Sequence, residues 1–210
     1  MSDVQTLQRP DGETLAYKAI EGDGPTIIWI GGFRSDMEGT KALALDAAAR
    51  ERGWNYVRYD HFAHGVSSGE WKQATIGRWR EDAIALIDSL QGPVIPVGSS
   101  MGGWVALLAT LARPQRVKGV VLVNPAQDFT EKLMWPGLAD HERQAILREG
   151  ETVITEEGLG SYVLTGACSR RRATGCCWTA GSTSPRRSMC CKAAPTTWCR
   201  GAIRSNWSNA

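Results

Sequence analysis

Val94-Ile95-Pro96-Val97-Gly98-Ser99-Ser100-Met101-Gly102-Gly103-Trp104 is the stretch whose reading decides the fold of this chain. An apolar run with strand character enters Gly-x-Ser-x-Gly, and an apolar series of small and branched residues, Gly102 to Leu111, follows at once. A strand that bends sharply into a helix holds the residue at the bend in a strained conformation, and glycines two positions either side let strand and helix approach. The Ser100 hydroxyl is then thrust above the sheet, beside the positive end of the helix. An ordinary Gly/Ser turn is the bland alternative, and the flanking strand and helix speak against it. A phosphate-cradling loop is rejected, because the glycines lead into Trp104 and no lysine follows them.

Outward from this elbow, strands and helices alternate. Thr26-Ile27-Ile28-Trp29-Ile30 is a continuous apolar run suited to a strand buried on both faces. Residues 40–52 have helical spacing, Asn55–Tyr59 is a short strand, and 76–90 carries Ile76, Trp79, Ala83, Ile84 and Ile87 on one helical face. Gly119–Val123 is a further strand, and Val4–Leu7 with Leu15–Ala19 flank Asp11-Gly12 as a hairpin. This order predicts an α/β fold, a mostly parallel sheet flanked by helices, of the α/β-hydrolase type that carries such elbows. In that fold the loop after the first buried strand, here Gly31-Gly32-Phe33-Arg34-Ser35, supplies one amide of an oxyanion hole, and the residue after the nucleophile supplies the other. Ser100 is therefore the expected nucleophile, and Phe33 and Met101 the expected oxyanion donors. Each donor can lower the barrier by about 3 kcal/mol.

The 210 residues carry a net charge of +2, which favours neither nucleic acid nor a membrane surface as partner. Met1–Gly12 has no apolar signal core and no stretch is long enough to span a membrane, so a cytoplasmic location is expected. No cofactor and no metal are expected. His61 and His64 lie in the loop 60–69, too early for the base of this fold, whose histidine follows the nucleophile and the acid; His64 reads as a loop-ordering residue. His141 reads as solvated. The six cysteines show no C-x-x-C spacing for zinc.

Residues 128–157 break the alternation; they are polar, helical in flavour and interrupted by Pro136-Gly137. The expected organisation is a core over 1–127, a cap or lid over 128–160, and an aberrant, disordered tail over 161–210. All 22 Asp and Glu lie at or before Glu157, all six Cys lie at or after Cys168, and Leu and Val cease after Leu164. A segment with so few aliphatic residues cannot bury a core.

The segments Ile30-Gly31-Gly32-Phe33-Arg34-Ser35-Asp36-Met37-Glu38-Gly39-Thr40-Lys41-Ala42, Gly65-Val66-Ser67-Ser68-Gly69 and Gly98–Trp104 resemble one α/β-hydrolase group: the palmitoyl-protein thioesterases and acyl-glucuronide esterases, mitochondrial in animals, with their bacterial relatives. The resemblance runs from about residue 10 to about residue 165 and implies a small-molecule or acylated substrate, hydrolysed as an acyl ester or thioester. It also implies a late Asp in a G-x-x-D-D-x-V-P-W type segment and a His in a D-H-R segment, and neither is present. Regrouping the codons of 191–202, the last base of each with the first two of the next, permits Gln-Gly-Gly-Ala-Asp-Asp-Val-Val-Pro-Trp-Arg. The same shift permits Arg-Leu-Leu-Leu-Asp over Gly175–Thr179, with the last base of the Thr174 codon opening the Arg. A frameshift near Gly166 accounts together for the lost acids, the abrupt cysteines and the missing aliphatics. The expectation is a serine hydrolase, carboxylesterase or thioesterase in class, crippled as written because the triad Asp and His are absent. The rivals are a non-catalytic acyl-binding protein on the same fold, and a different reaction of that fold such as C–C bond hydrolysis.

Overall fold

The computed structural model describes residues 3–156, 160–166 and 189–192, with Glu156 and the last four described by their backbone alone. Strands β1 (Gln5–Gln8) and β2 (Thr14–Ile20) form the expected antiparallel hairpin, turned with Gly12 at φ 87°. Strands β3 (Asp23–Ile30), β4 (Trp54–Tyr59), β5 (Val94–Ser99) and β6 (Val120–Val123) are parallel. Helices α1 (Thr40–Arg52), α2 (Ile76–Ser89) and α3 (Met101–Ala112) connect them.

Strand periodicity sorts the two faces of the sheet. Ile28 and Ile30, both fully buried, join Trp79, Leu86 and Ile87 of α2 and Met101 and Val105 of α3 in one core. Trp29 points the other way and packs with Ala42 and Ala49 of α1, Tyr56 and Val97. The unbroken apolar run of β3 is thus required by helices on both sides. Each isoleucine so buried contributes about 2 kcal/mol. The Thr75 hydroxyl accepts from the Arg78 amide at 3.1 Å and caps α2. Gly53, at φ 67°, closes α1.

The segment over the core departs from its expected helical character. Thr130–Met134 is one wide π-type turn and Asp140–Glu149 a helix, but Gly150 at φ 86° ends that helix. Strands β7 (Glu151–Glu156) and β8 (Gly160–Thr165) then pair antiparallel. Thr152-Val153-Ile154-Thr155 is a run of four β-branched residues, whose stiff side chains suit a strand better than a helix. The boundary expected between residues 160 and 161 is corrected accordingly: the pairing of this hairpin carries through to Thr165.

Backbone of Met189–Lys192 forms β9, parallel with β6, and completes a sheet in the order β1-β2-β4-β3-β5-β6-β9. Most of the expected tail lies outside the described residues. Among the described residues no helix is long and apolar enough to cross a membrane. The carboxyl ends of β3, β4, β5 and β6 open onto one edge of the sheet, the edge where open α/β sheets place their ligands.

Candidate active site

Ser100 sits between β5 and α3 with φ 53° and ψ −121°. A non-glycine residue there carries about 1–3 kcal/mol of strain and persists only where its surroundings over-determine it. They do: the Ser100 amide donates to the Val123 carbonyl at 3.0 Å, and the Ser100 carbonyl accepts from the amides of Gly103 at 2.9 Å and Ala126 at 3.0 Å. The exit of β6 therefore grips the elbow. The Ser100 side chain stands exposed to solvent.

Gly31–Ser35 lies against the bend; a Cβ on Gly32 would stand 3.4 Å from that of Ser100. The Ser35 hydroxyl donates to the Gly32 carbonyl at 2.9 Å and closes the loop on itself. Among the described residues neither the Phe33 nor the Met101 amide donates to any acceptor. Ser100 and Met101 thus lie at the junction of β5 and α3, and Phe33 on the adjoining loop after β3.

The loop is anchored beyond Ser35 by charge. The Met37 amide donates to Asp60 Oδ1 at 2.7 Å, and the Met37 carbonyl accepts from Arg58 at 2.6 Å. Arg58 also reaches Glu38 at 2.7 Å and Asp46 at 3.2 Å. Lys18 and then Arg58 hold the Glu38 carboxyl below its ordinary range. Burial pushes the Asp60 carboxyl upward, opposed by the amides of Val66 and Met37. Gly65, at φ 48°, is confined to glycine because a Cβ would fall 2.0 Å from Asp60 Oδ2. The 37–42 stretch that carries the sequence resemblance is therefore the outer brace of the loop.

His61 and His64 are buried, at 1% and 5% exposure, and both turn toward the loop after β3. The His61 Nε2 lies 3.3 Å from the Gly31 carbonyl and donates to it. Burial, helped by His64, drops His61 from 6.5 to about 3. The unfolded chain then binds a proton below pH 6.5 that the folded chain refuses, so this group's contribution is complete above pH 6.5 and is lost as pH falls toward 3. The expected cost is up to about 1.4 kcal/mol per pH unit in that window. His61→Gln, which keeps a donor for Gly31, is expected to flatten the acid limb of a urea-midpoint-versus-pH curve; an unchanged limb would refute the assignment. His141 is exposed on the helix Asp140–Glu149.

Sequence reasoning missed an aromatic cluster. The Phe33 ring meets Trp71 at 5.4 Å, Trp79 at 6.0 Å, Phe129 at 5.8 Å and Tyr162 at 5.6 Å. The Trp71 indole donates to the Val163 carbonyl at 2.7 Å, and the Arg34 guanidinium lies 4.7 Å from the centre of the Tyr162 ring. Both contacts tie the β7–β8 hairpin to the loops around Ser100. Trp79 was visible on the apolar face of α2; no local signal marks Tyr162. Among the described residues no three His, Cys, Asp or Glu gather as metal ligands.

The pattern of the serine aminopeptidase S33 family (Hydrolase_4) matches residues 26–172. The mitochondrial palmitoyl-protein thioesterase ABHD10 of Bos taurus is 38% identical over 170 residues, 73% of this chain and 56% of that one. The human protein is 45% identical over 123 residues, 58% of this chain and 40% of its own length. The chain thus spans about half the length of the curated relatives it matches. Among solved structures, a putative hydrolase from Agrobacterium vitis S4 superposes with a TM-score of 0.72 at 37% identity, covering 80% of this chain and 69% of that one. The mouse α/β hydrolase domain-containing protein 10 gives 0.68 at 32%, covering 77% and 66%. The curated relatives are named as mitochondrial, so the cytoplasmic location expected from the sequence draws no support from them. On the match over 26–172 and the folds it superposes on, the chain belongs to the serine aminopeptidase S33 family of α/β-hydrolases.

Proposed function

We propose that this chain carries the nucleophile and oxyanion hole of a serine hydrolase acting on acyl esters or thioesters. The carrying observation is Ser100 held at φ 53°, exposed, beside two amides that have no acceptor among the described residues. Ser100 Oγ attacks the acyl carbonyl carbon and passes its proton to a base. The Phe33 and Met101 amides donate to the oxygen as it gains charge, where preorganised donors act most strongly. Collapse expels the thiol or alcohol with that proton and leaves an acyl-serine. Water then attacks the acyl-serine and releases the acid. The rings around Phe33, with the β7–β8 hairpin over them, would form the apolar wall for the acyl group. Residues 128–165 are proposed as the cap.

The base and its orienting acid are not supplied: no Asp or Glu follows Glu157 and no His follows His141. That observation favours a second proposal, an acyl-binding protein on the same scaffold that does not turn over. A fluorophosphonate probe with peptide mapping separates the two. The expected result is slow labelling at Ser100 alone, abolished in Ser100→Ala, with negligible p-nitrophenyl ester turnover. Binding of an acyl ligand without any label would favour the second proposal. Robust turnover that Ser100→Ala abolishes would mean that a base lies within this chain.

A further inference from the structure

Arg34 follows Phe33 and stands at φ 58°, a conformation that non-glycine residues rarely adopt. Such a residue reverts to a commoner conformation unless its peptide groups are held. The Arg34 amide has one hydrogen-bond acceptor, the Nε2 of His64 at 3.1 Å, thirty residues away. The other ring nitrogen, Nδ1, lies 3.0 Å from the Phe62 carbonyl. A carbonyl only accepts, so Nδ1 carries the proton. An amide only donates, so Nε2 is bare. Both neighbours thereby select one tautomer of a neutral ring.

The ring cannot turn away. It meets Trp71 at 5.3 Å, Trp79 at 5.4 Å and His61 at 5.7 Å, two of them near edge-on. His61 in turn donates to Gly31, at the other end of the same loop. Two histidines from the turn after β4 therefore clasp the loop after β3 on either side of Phe33, one by a carbonyl and one by an amide.

We propose that His64 is a positioning residue: its bare Nε2 locks Arg34 in the left-handed conformation and so aims the adjacent Phe33 amide at the substrate oxygen, with Phe33 taken as the oxyanion donor proposed above. His64 touches no reacting atom. Its effect passes through one peptide unit, which is why an acceptor in a fixed place is needed and not a charge. Burial keeps the imidazole neutral, as that role requires.

The test is made on the full chain, labelled with 15N. Long-range 1H–15N correlation is expected to show His64 with Nδ1 protonated and Nε2 not. Amide exchange at Arg34 is expected to quicken about tenfold in His64→Phe, the equivalent of one net hydrogen bond, while the β5 amides keep their protection. His64→Gln, whose side-chain carbonyl can accept, is expected to restore most of it. A parent protein with Nε2 protonated overturns the proposal even if the Phe variant fails to fold. So does an Arg34 amide as protected in His64→Phe as in the parent, or a Gln variant no better than Phe. These readouts are independent of Ser100 labelling, so a failure of the hydrolase proposal shows in the probe experiment and not here.

Discussion

Moving the tail into the alternative reading frame is expected to raise ester turnover about a millionfold over the chain as written. A nucleophile without its base keeps only the residual catalysis of the oxyanion hole and binding, and losing the triad base costs a factor of that order in kcat. The proposed shifted frame permits the acid segment over codons 191–202, and the histidine segment that the resemblance implies is restored with it. The wobble bases make the claim specific. Asp-Asp-Val requires G as the third base of codons 195, 196 and 197, and Val-Pro requires C at codon 199. Sequencing the DNA around codon 166 and across these positions decides the matter before any protein is made. An intact frame with other bases at those positions, and the cysteines confirmed in the protein, would sink it.

Strand β9 bears on the same point. Val121 and the buried core residue Leu122 of β6 stand opposite Cys190 and Cys191. In the shifted frame the codons of 189–191 read Val-Leu, and both residues are forced: Met189 ends in G before TG, and either last base of Cys190 gives Leu before TG. Strands of parallel sheets are ordinarily built of such residues. The acid segment would then begin immediately after a strand of the catalytic sheet, at the edge where Ser100 sits.

The core was legible in the sequence because each of its elements is decided locally. Ile27–Ile30 is too apolar to be anything but a doubly covered strand, and the face carrying Trp79, Ala83 and Ile87 keeps one helical period. The elbow was legible for a similar reason, since glycines at 98 and 102 answer a contact between neighbours in sequence. The cap was not. Asp140–Glu149 and Glu151–Glu156 are both polar, and only the glycine at 150 and the β-branched run after it divide helix from strand. The sequence marked His64 as loop-ordering, but the partners of His61 and His64 were hidden, because Gly31 and Arg34 lie thirty residues away and contribute backbone groups, which carry no signature in a sequence. The same holds for Tyr162, brought to Phe33 by the packing of the hairpin.

Gly102→Ala is expected to cost at least about 3 kcal/mol of stability and to remove fluorophosphonate labelling although the serine at position 100 is unchanged. A Cβ at 102 would stand 2.1 Å from the Ile30 carbonyl oxygen and 2.3 Å from that of Gly31. Both are backbone atoms of β3 and of the loop that carries Phe33, so no side chain can swing aside to make room. Relief demands that α3 withdraw from β3. Withdrawal pulls Ser100, whose amide and carbonyl are tied to Val123, Gly103 and Ala126, out of the strained bend that exposes its hydroxyl. It also parts the Met101 amide from the Phe33 amide, so the proposed oxyanion hole opens with the elbow. Gly98→Ala meets the same wall from the other side, its Cβ 2.3 Å from the Gly102 carbonyl oxygen. Gly119→Ala is the control, since nothing lies within 4 Å of its Cβ position, and its expected change stays within about 0.5 kcal/mol. Urea midpoints of the three variants measure the difference. If Gly102→Ala proves as stable and as reactive as Gly119→Ala, strand and helix do not approach as described, and Ser100 is not held at a strained bend.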